Sequence, residues 1–233
     1  MKILAIDTSS SVCSVALLED ERIIQELNIN NTRTHSENLM PLVEKLLDTN
    51  SVKLQDINLL ACDKGPGSFT GIRIGISSIK AMAEVHSIPI CGVTSLEGLA
   101  YNEEITNGII VPIIDARNDN VYTATFDKDY NLVSKYLALN INDLITNLKN
   151  IDGNDITFVG DGISVHKELL QNSLNEFSLS FSTNNILHAS NIGICGYTKF
   201  INGDYDNADS ILPLYINKSQ AERMLDIQNA NRN

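Results

Sequence analysis

The 233-residue sequence is short of basic residues, of paired cysteines and of long apolar runs, and each shortage excludes a class of protein. Lys and Arg number 17 against 29 Asp and Glu, a formal net charge of −12. The deficit is even along the chain, with 8 basic against 14 acidic residues in 1–110 and 9 against 15 in 111–233. A groove that holds duplex or structured RNA by its phosphates needs clustered Lys and Arg, and no run of three basic residues occurs, so such a groove is not expected. An acidic membrane surface would repel the chain as well. Cys13, Cys62, Cys91 and Cys195 form no C-x-x-C pair, which points to reduced, buried thiols rather than a zinc cluster or a disulfide framework. No apolar run approaches the ~18 residues of a membrane span and no secretory leader precedes the first strand, so a cytoplasmic location is expected. What is present, 43% hydrophobic and 20% charged residues, is the balance of an ordinary globular protein.

The chain reads as two versions of one unit. KILAID (2–7), a Ser-rich turn and VCSVALL predict a β-hairpin, with a third strand near 22–29. Thr34 and Glu37 have capping-box spacing, and Leu39, Val43, Leu46 and Leu47 carry a helix to about Asn50, with Pro41 expected to kink or tighten it. NLLACD is a buried-type strand, GPGSFTG a glycine-rich turn, and IRIGISSIKAMAEVH a second helix, followed by the strand IPICGVT and a helix opening at Ser95. At Gly108 the pattern restarts. IIVPIIDARNDNVYTATF repeats KILAIDTSSSVCSVAL, with Asp115 in the place of Asp7. Strands near 132–139, at ITFVGDG and at LSFS then alternate with helices near 141–150, 164–172 and 188–201, before a closing ADSILPLYIN. The expectation is a two-lobed α/β fold of the actin-like ATPase (ribonuclease H-like, ASKHA) type. The first lobe spans 1–106 and the second 107–233, with the last ~15–20 residues packing back on the first.

The combination IDTSSSVCSVAL, RTHSENLMPLVEKLL, ACDKGPGSFTGIRIGISSIKAMA, GVTSLEGLA and IIDARNDNVYTATF resembles the TsaB (YeaZ) family, in the glycoprotease-like (peptidase M22-like) branch of the actin-like superfamily. The resemblance covers essentially the whole chain, and GPGSFTGIRIG is its most specific part. It departs at the closing Tyr-Ile-Asn-Lys, which lacks the family's usual arginine, and after residue 220. The resemblance implies a non-catalytic subunit that pairs with TsaD through first-lobe helices, near 35–50 and 70–86. That pair recruits the ATPase TsaE and supports transfer of threonylcarbamoyl from threonylcarbamoyl-AMP to N6 of adenosine 37 in tRNAs reading ANN codons. The interface is expected at His35, Leu39, Met40, Val43, Gly71, Ile74, Gly75, Ser78 and Met82. A homodimer is expected in isolation, with tRNA touched only indirectly. No cofactor is assigned to this subunit, and Mg-ATP is used by the assembly.

The residues themselves leave other chemistries to weigh. GPGSFTG lies between strand and helix, yet no lysine follows Gly71 as a Walker loop requires, and Thr70 stands where G-x-G-x-x-G needs glycine. Helix capping by Thr70 explains the segment without a ligand. Gly71 and Gly75, four apart, predict close helix-on-helix packing. Asp7 and Asp115, with Ser9 and Ser10, are the nucleotide-binding candidates if a nucleotide binds, although FVGDGIS offers, in Gly160 and Gly162, only two of the glycines expected around an adenosine, and no Gly-Gly pair occurs. Those residues keep an actin-like ATPase or small-molecule kinase as the alternative. His35, His86, His166 and His188 contain no i, i+4 pair for a metal, which places a metalloprotease third, and no G-x-S-x-G supports a serine nucleophile.

Overall fold

The apolar runs ILAI (3–6), VALL (15–18) and LLAC (59–62) leave their strands no polar face, and the fold covers one sheet on both sides. The computed structural model describes residues 1–216 apart from Asp152. In the first lobe, β1 (Lys2–Asp7), β2 (Cys13–Glu19), β3 (Arg22–Ile29), β4 (Leu59–Asp63) and β5 (Ile90–Val93) form a sheet in the order β3-β2-β1-β4-β5. β1 pairs antiparallel with β2 and parallel with β4. Helices α1 (His35–Thr49) and α2 (Phe69–His86) close one face over Leu4, Ile6 and Leu60, and α3 (Ser95–Ala100) follows β5. The capping box at Thr34 is formed, with Thr34 N–H donating to Glu37 Oε2 at 2.9 Å, and α1 runs unbroken through Pro41. The cap of α2 is Ser68, not Thr70: its Oγ accepts from Gly71 N–H at 3.2 Å.

The second lobe repeats this order. β6 (Ile109–Asp115), β7 (Asn120–Thr123), β8 (Leu137–Asn140), β9 (Asp155–Val159) and β10 (Ser178–Phe181) run β10-β9-β6-β7-β8, which is the first sheet's order read from its other edge. α4 (Ile141–Leu148) and α5 (Ile163–Ser173) pack one face over Val111, Ile113 and Phe158. The third strand expected over 132–139 is reduced to β8. Upstream of it Leu132 makes only an isolated bridge to Phe126, and the backbone of Thr125 is taken by Val133 and Ser134.

The last helix, α6 (Ala189–Ile201), lies on the first lobe's sheet rather than its own. Two glycines permit the approach: a Cβ at Gly193 would stand 2.4 Å from Leu18 Cδ1, and one at Gly196 2.8 Å from Ala61 Cβ. Division of the chain near residue 106 therefore does not divide the packing, since Ile3, Ala5, Ile192 and Cys195 share a core with Ile110 and Phe126. Asp206 and Ile90 exchange backbone hydrogen bonds, Ile211 is fully buried in the first lobe, and Leu214 N–H donates to Lys64 O at 2.7 Å. The rest of the expected returning tail, 217–233, lies outside the described residues.

Candidate functional site

The C-terminal ends of the two central strands of the first lobe each carry an aspartate, because parallel pairing of Ile6 with Cys62 brings Asp7 and Asp63 side by side. Both are buried. Asp7 Oδ1 accepts from Ser9 N–H at 2.7 Å, while its Oδ2 has no partner other than the carboxyl it faces. Asp63 accepts from Gly65 N–H at 2.7 Å and from Ser95 Oγ at 2.9 and 2.7 Å. Burial first, and then the charge of Asp63, pushes the Asp7 carboxyl well above the usual carboxylate range, and burial raises Asp63 as well. Two like carboxyls buried side by side resist ionising together, so the pair favours retention of a proton. Asp63 has a sequence signal of its own, a buried-type strand ending in Asp just as KILAID does.

Above this pair a cleft of about 420 Å³ separates the lobes. Ser9, Ser10 and Asp115 line it, as do Arg117, Tyr122 and Asp161, whereas Asp7 lies beneath the floor. Asp115 accepts from Arg117 N–H at 2.9 Å, and its own N–H donates to Asp161 Oδ1 at 3.0 Å. Burial raises the Asp161 carboxyl, and the nearby Asp115 charge adds to that. The glycines beside Asp161 serve packing: a Cβ at Gly160, whose φ is +107°, would stand 2.4 Å from Ile113 O. The glycines of GPGSFTG do the same, and here the expected helix-on-helix contact is corrected. A Cβ at Gly71 would stand 1.9 Å from Thr8 O, and one at Gly75 2.6 Å from Thr8 Oγ1. α2 thus presses on the β1–β2 turn, with Thr8 Oγ1 donating to Gly71 O at 2.8 Å.

That packing sorts the expected interface residues. Leu39 and Val43 are 1% and 3% exposed and belong to the core under α1 and α2, and Gly71 and Gly75 face Thr8, so these four point inward, whereas Met82, 6% exposed, packs on the same core and also lines the groove between the helices. His35 is half-buried, with Nε2 against Ser10 O at 2.8 Å. Met40 is exposed, and Ile74 and Ser78 are half-buried. Met40, Ser78 and Met82 line a shallow apolar groove between the helices, which Leu54, Ser77, Ala81 and the 70% exposed Val85, not among the expected residues, complete. The missed signal was position: Ala81 and Val85 are four apart on the side of α2 opposite Ile72, Ile76 and Ile79.

The histidines are dispersed. His166 is buried in α5, and His188 Nδ1 meets Glu26 Oε1 at 3.1 Å. Glu26 also accepts from Ser14 Oγ at 3.0 Å and Ser190 Oγ at 2.7 Å, joining β3 to the start of α6. Burial would raise the Glu26 carboxyl, but the hydrogen bonds from His188, Ser190 and Ser14 outweigh it and hold it low. The same bond raises His188 against its burial. Among the described residues no group of three or more His, Cys, Asp or Glu is placed to hold a metal ion, and no helix is long and apolar enough to cross a membrane.

Two sheets of one strand order, each led by a hairpin ending in Asp and facing the other across a cleft, define the actin-like ATPase superfamily. A Thermus thermophilus ROK hexokinase shares the fold at a TM-score of 0.55, with 10% identity over 86% of this chain and 100% of that one. YeaZ from Pseudomonas aeruginosa matches at a TM-score of 0.75, with 27% identity over 92% of this chain and 99% of that one. A family model described as TsaD, tRNA N6-adenosine threonylcarbamoyltransferase, matches residues 22–223. The tRNA threonylcarbamoyladenosine biosynthesis protein TsaB of Bacillus subtilis (strain 168) is 37% identical over 177 residues, covering 75% of this chain and 77% of that protein. TsaB of Buchnera aphidicola subsp. Schizaphis graminum is 29% identical over 229 residues, covering 96% and 97%. The chain belongs to the TsaB (YeaZ) family, in the M22-peptidase-like branch of the superfamily.

Proposed function

We propose that this chain is the non-catalytic accessory subunit of tRNA N6-threonylcarbamoyladenosine synthesis, working in the cytoplasm as the partner of TsaD. Its relationship to TsaB over three quarters or more of the length of both chains carries the reading. Two features of the molecule support it. The strand-end carboxyl that would position a magnesium ion in an ATPase is buried beside Asp63, and both burial and that neighbouring charge disfavour its ionised form. The outer side of α1 and α2 offers Met40, Ile74, Ala81 and Val85 to a partner, in line with a standard interface of roughly 800 Å² per side. In this reading TsaD carries out the transfer from threonylcarbamoyl-AMP, TsaE joins the pair and supplies Mg-ATP hydrolysis, and tRNA is held by the other subunits. The free chain pairs with itself through the same helices.

Reconstitution tests the reading. Omitting this chain from a mixture of TsaD, TsaE, threonylcarbamoyl-AMP, Mg-ATP and tRNA abolishes modification, whereas Asp7→Asn and Asp115→Asn variants support it at the wild-type level. Loss of modification by these variants while pairing with TsaD persists refutes a non-catalytic role. The cleft lined by Ser9, Ser10, Asp115 and Arg117 favours one alternative, an actin-like ATPase or kinase. Calorimetric binding of Mg-ATP to the isolated chain tighter than about 100 μM, roughly −5.5 kcal/mol, would establish that instead.

A further inference from the structure

Beside the groove between α1 and α2, three exposed side chains are built into one unit. The guanidinium of Arg73 lies 3.8 Å over the ring of Phe69, one turn earlier in α2. Tyr215, returning from the second lobe, stacks on the same Phe69 with ring centroids 4.9 Å apart. Its hydroxyl accepts from Arg73 Nε at 2.8 Å. Phe69 is 39% and Tyr215 42% exposed, so the order of this unit comes from its own contacts rather than from burial. Among the described residues Arg73 has no acidic partner, and its two terminal nitrogens make no hydrogen bond. An arginine held by a cation–π contact and by Nε presents the remaining edge of its planar fork, which matches the two oxygens of a carboxylate. Ordering it beforehand removes a side-chain entropy cost that binding would otherwise meet. A hollow of about 480 Å³ bordered by Phe69, Arg73, Ile74 and Ser77 adjoins it, continuous with the apolar groove.

We infer that the Arg73–Phe69–Tyr215 unit is a receptor for one carboxylate on the partner protein, an Asp or Glu flanked by an apolar side chain that enters the hollow. The inference rests on the proposed pairing with TsaD and names the group that this pairing uses. A protein carboxylate is favoured over a nucleic-acid phosphate for two reasons. The neighbouring surface is apolar rather than basic. The chain as a whole, at −12, repels a polyanion while a single carboxylate beside apolar contacts is tolerated.

The test is calorimetric titration of the full-length chain with its cognate TsaD. Arg73→Met weakens binding at least tenfold, Arg73→Lys does nearly the same because an ammonium cannot make the fork, and Tyr215→Phe weakens it less. Arg73→Glu is rescued by Lys in place of one acidic residue of TsaD. Failure of the wild type to bind TsaD overturns the pairing and this inference together. Wild-type binding that Arg73→Met and Arg73→Lys leave unchanged overturns the receptor alone. Intact TsaD pairing with reduced retention of tRNA by the Arg73→Met assembly also overturns it, because the group taken is then a phosphate.

Discussion

Asn in place of Asp7 keeps both halves of the arrangement at the end of β1, an oxygen to accept from Ser9 and a donor to face Asp63. The substitution therefore reports on the proton without disturbing the shape. In the wild type the Asp7 carboxyl is raised in the folded state above its unfolded value of about 3.9. The stability it contributes is complete below that value and is lost as pH rises through the folded pKa. Urea unfolding at a series of pH values shows that decline for the wild type and a flatter curve for Asp7→Asn; parallel curves would show that no proton is shared. Gly71 offers a test of size rather than charge. Alanine there drives a methyl against the Thr8 carbonyl, a backbone atom that cannot step aside, and the expected cost is about 1–3 kcal/mol. Ser78→Ala, on the half-exposed side of the same helix, is expected within about 0.5 kcal/mol of wild type.

The elements meet at Glu26, where β3 of the first lobe is fastened to the N-terminus of α6. The two ionisable groups in that contact respond to pH in opposite senses. Glu26, lowered on folding, contributes stability above its unfolded pKa and loses it as pH falls through the folded value. His188, raised on folding, contributes below its unfolded pKa of about 6.5 and loses it as pH rises through the folded value. Glu26→Gln flattens this mid-pH maximum, and Glu26→Ala, which strands two buried hydroxyls, costs about 1–3 kcal/mol by denaturant titration. An effect below about 0.5 kcal/mol would mean that water replaces the contact. Much of this architecture was legible locally: the capping box at Thr34 and Glu37, the repeated hairpins ending in Asp7 and Asp115, and the helix over 189–201 all rest on short-range patterns. What was hidden depends on distant partners. Nothing near Gly193 and Gly196 says that α6 crosses to Leu18 and Ala61, and nothing near Gly71 says that its neighbour is Thr8 rather than a helix. Cores defined by such crossings decide which helix residues remain outside, which is why Leu39 and Val43 read as interface from sequence and are interior in the fold.

At the scale of the whole molecule, the exposed side of α1 and α2 and the net charge of −12 act against each other when two copies meet. Apolar burial over Met40, Ala81 and Val85 favours association, while every pair formed brings two chains of like charge together. Salt screens that repulsion over a Debye length that shortens to about 8 Å at 0.15 M, and it leaves apolar burial nearly untouched. Self-association is therefore expected to strengthen as ionic strength rises from about 0.02 to 0.3 M. Pairing through a carboxylate on Arg73 has the reverse dependence, because there salt weakens an attraction. Sedimentation velocity on the isolated chain and calorimetry on the mixture with TsaD, run over the same salt series, separate the two. Met40→Asp and Ala81→Asp, both at exposed positions, leave the thermal midpoint within about 2–4 °C and remove both kinds of pairing. If either variant dimerises and binds TsaD as the wild type does, the face between α1 and α2 is not the surface on which this protein works.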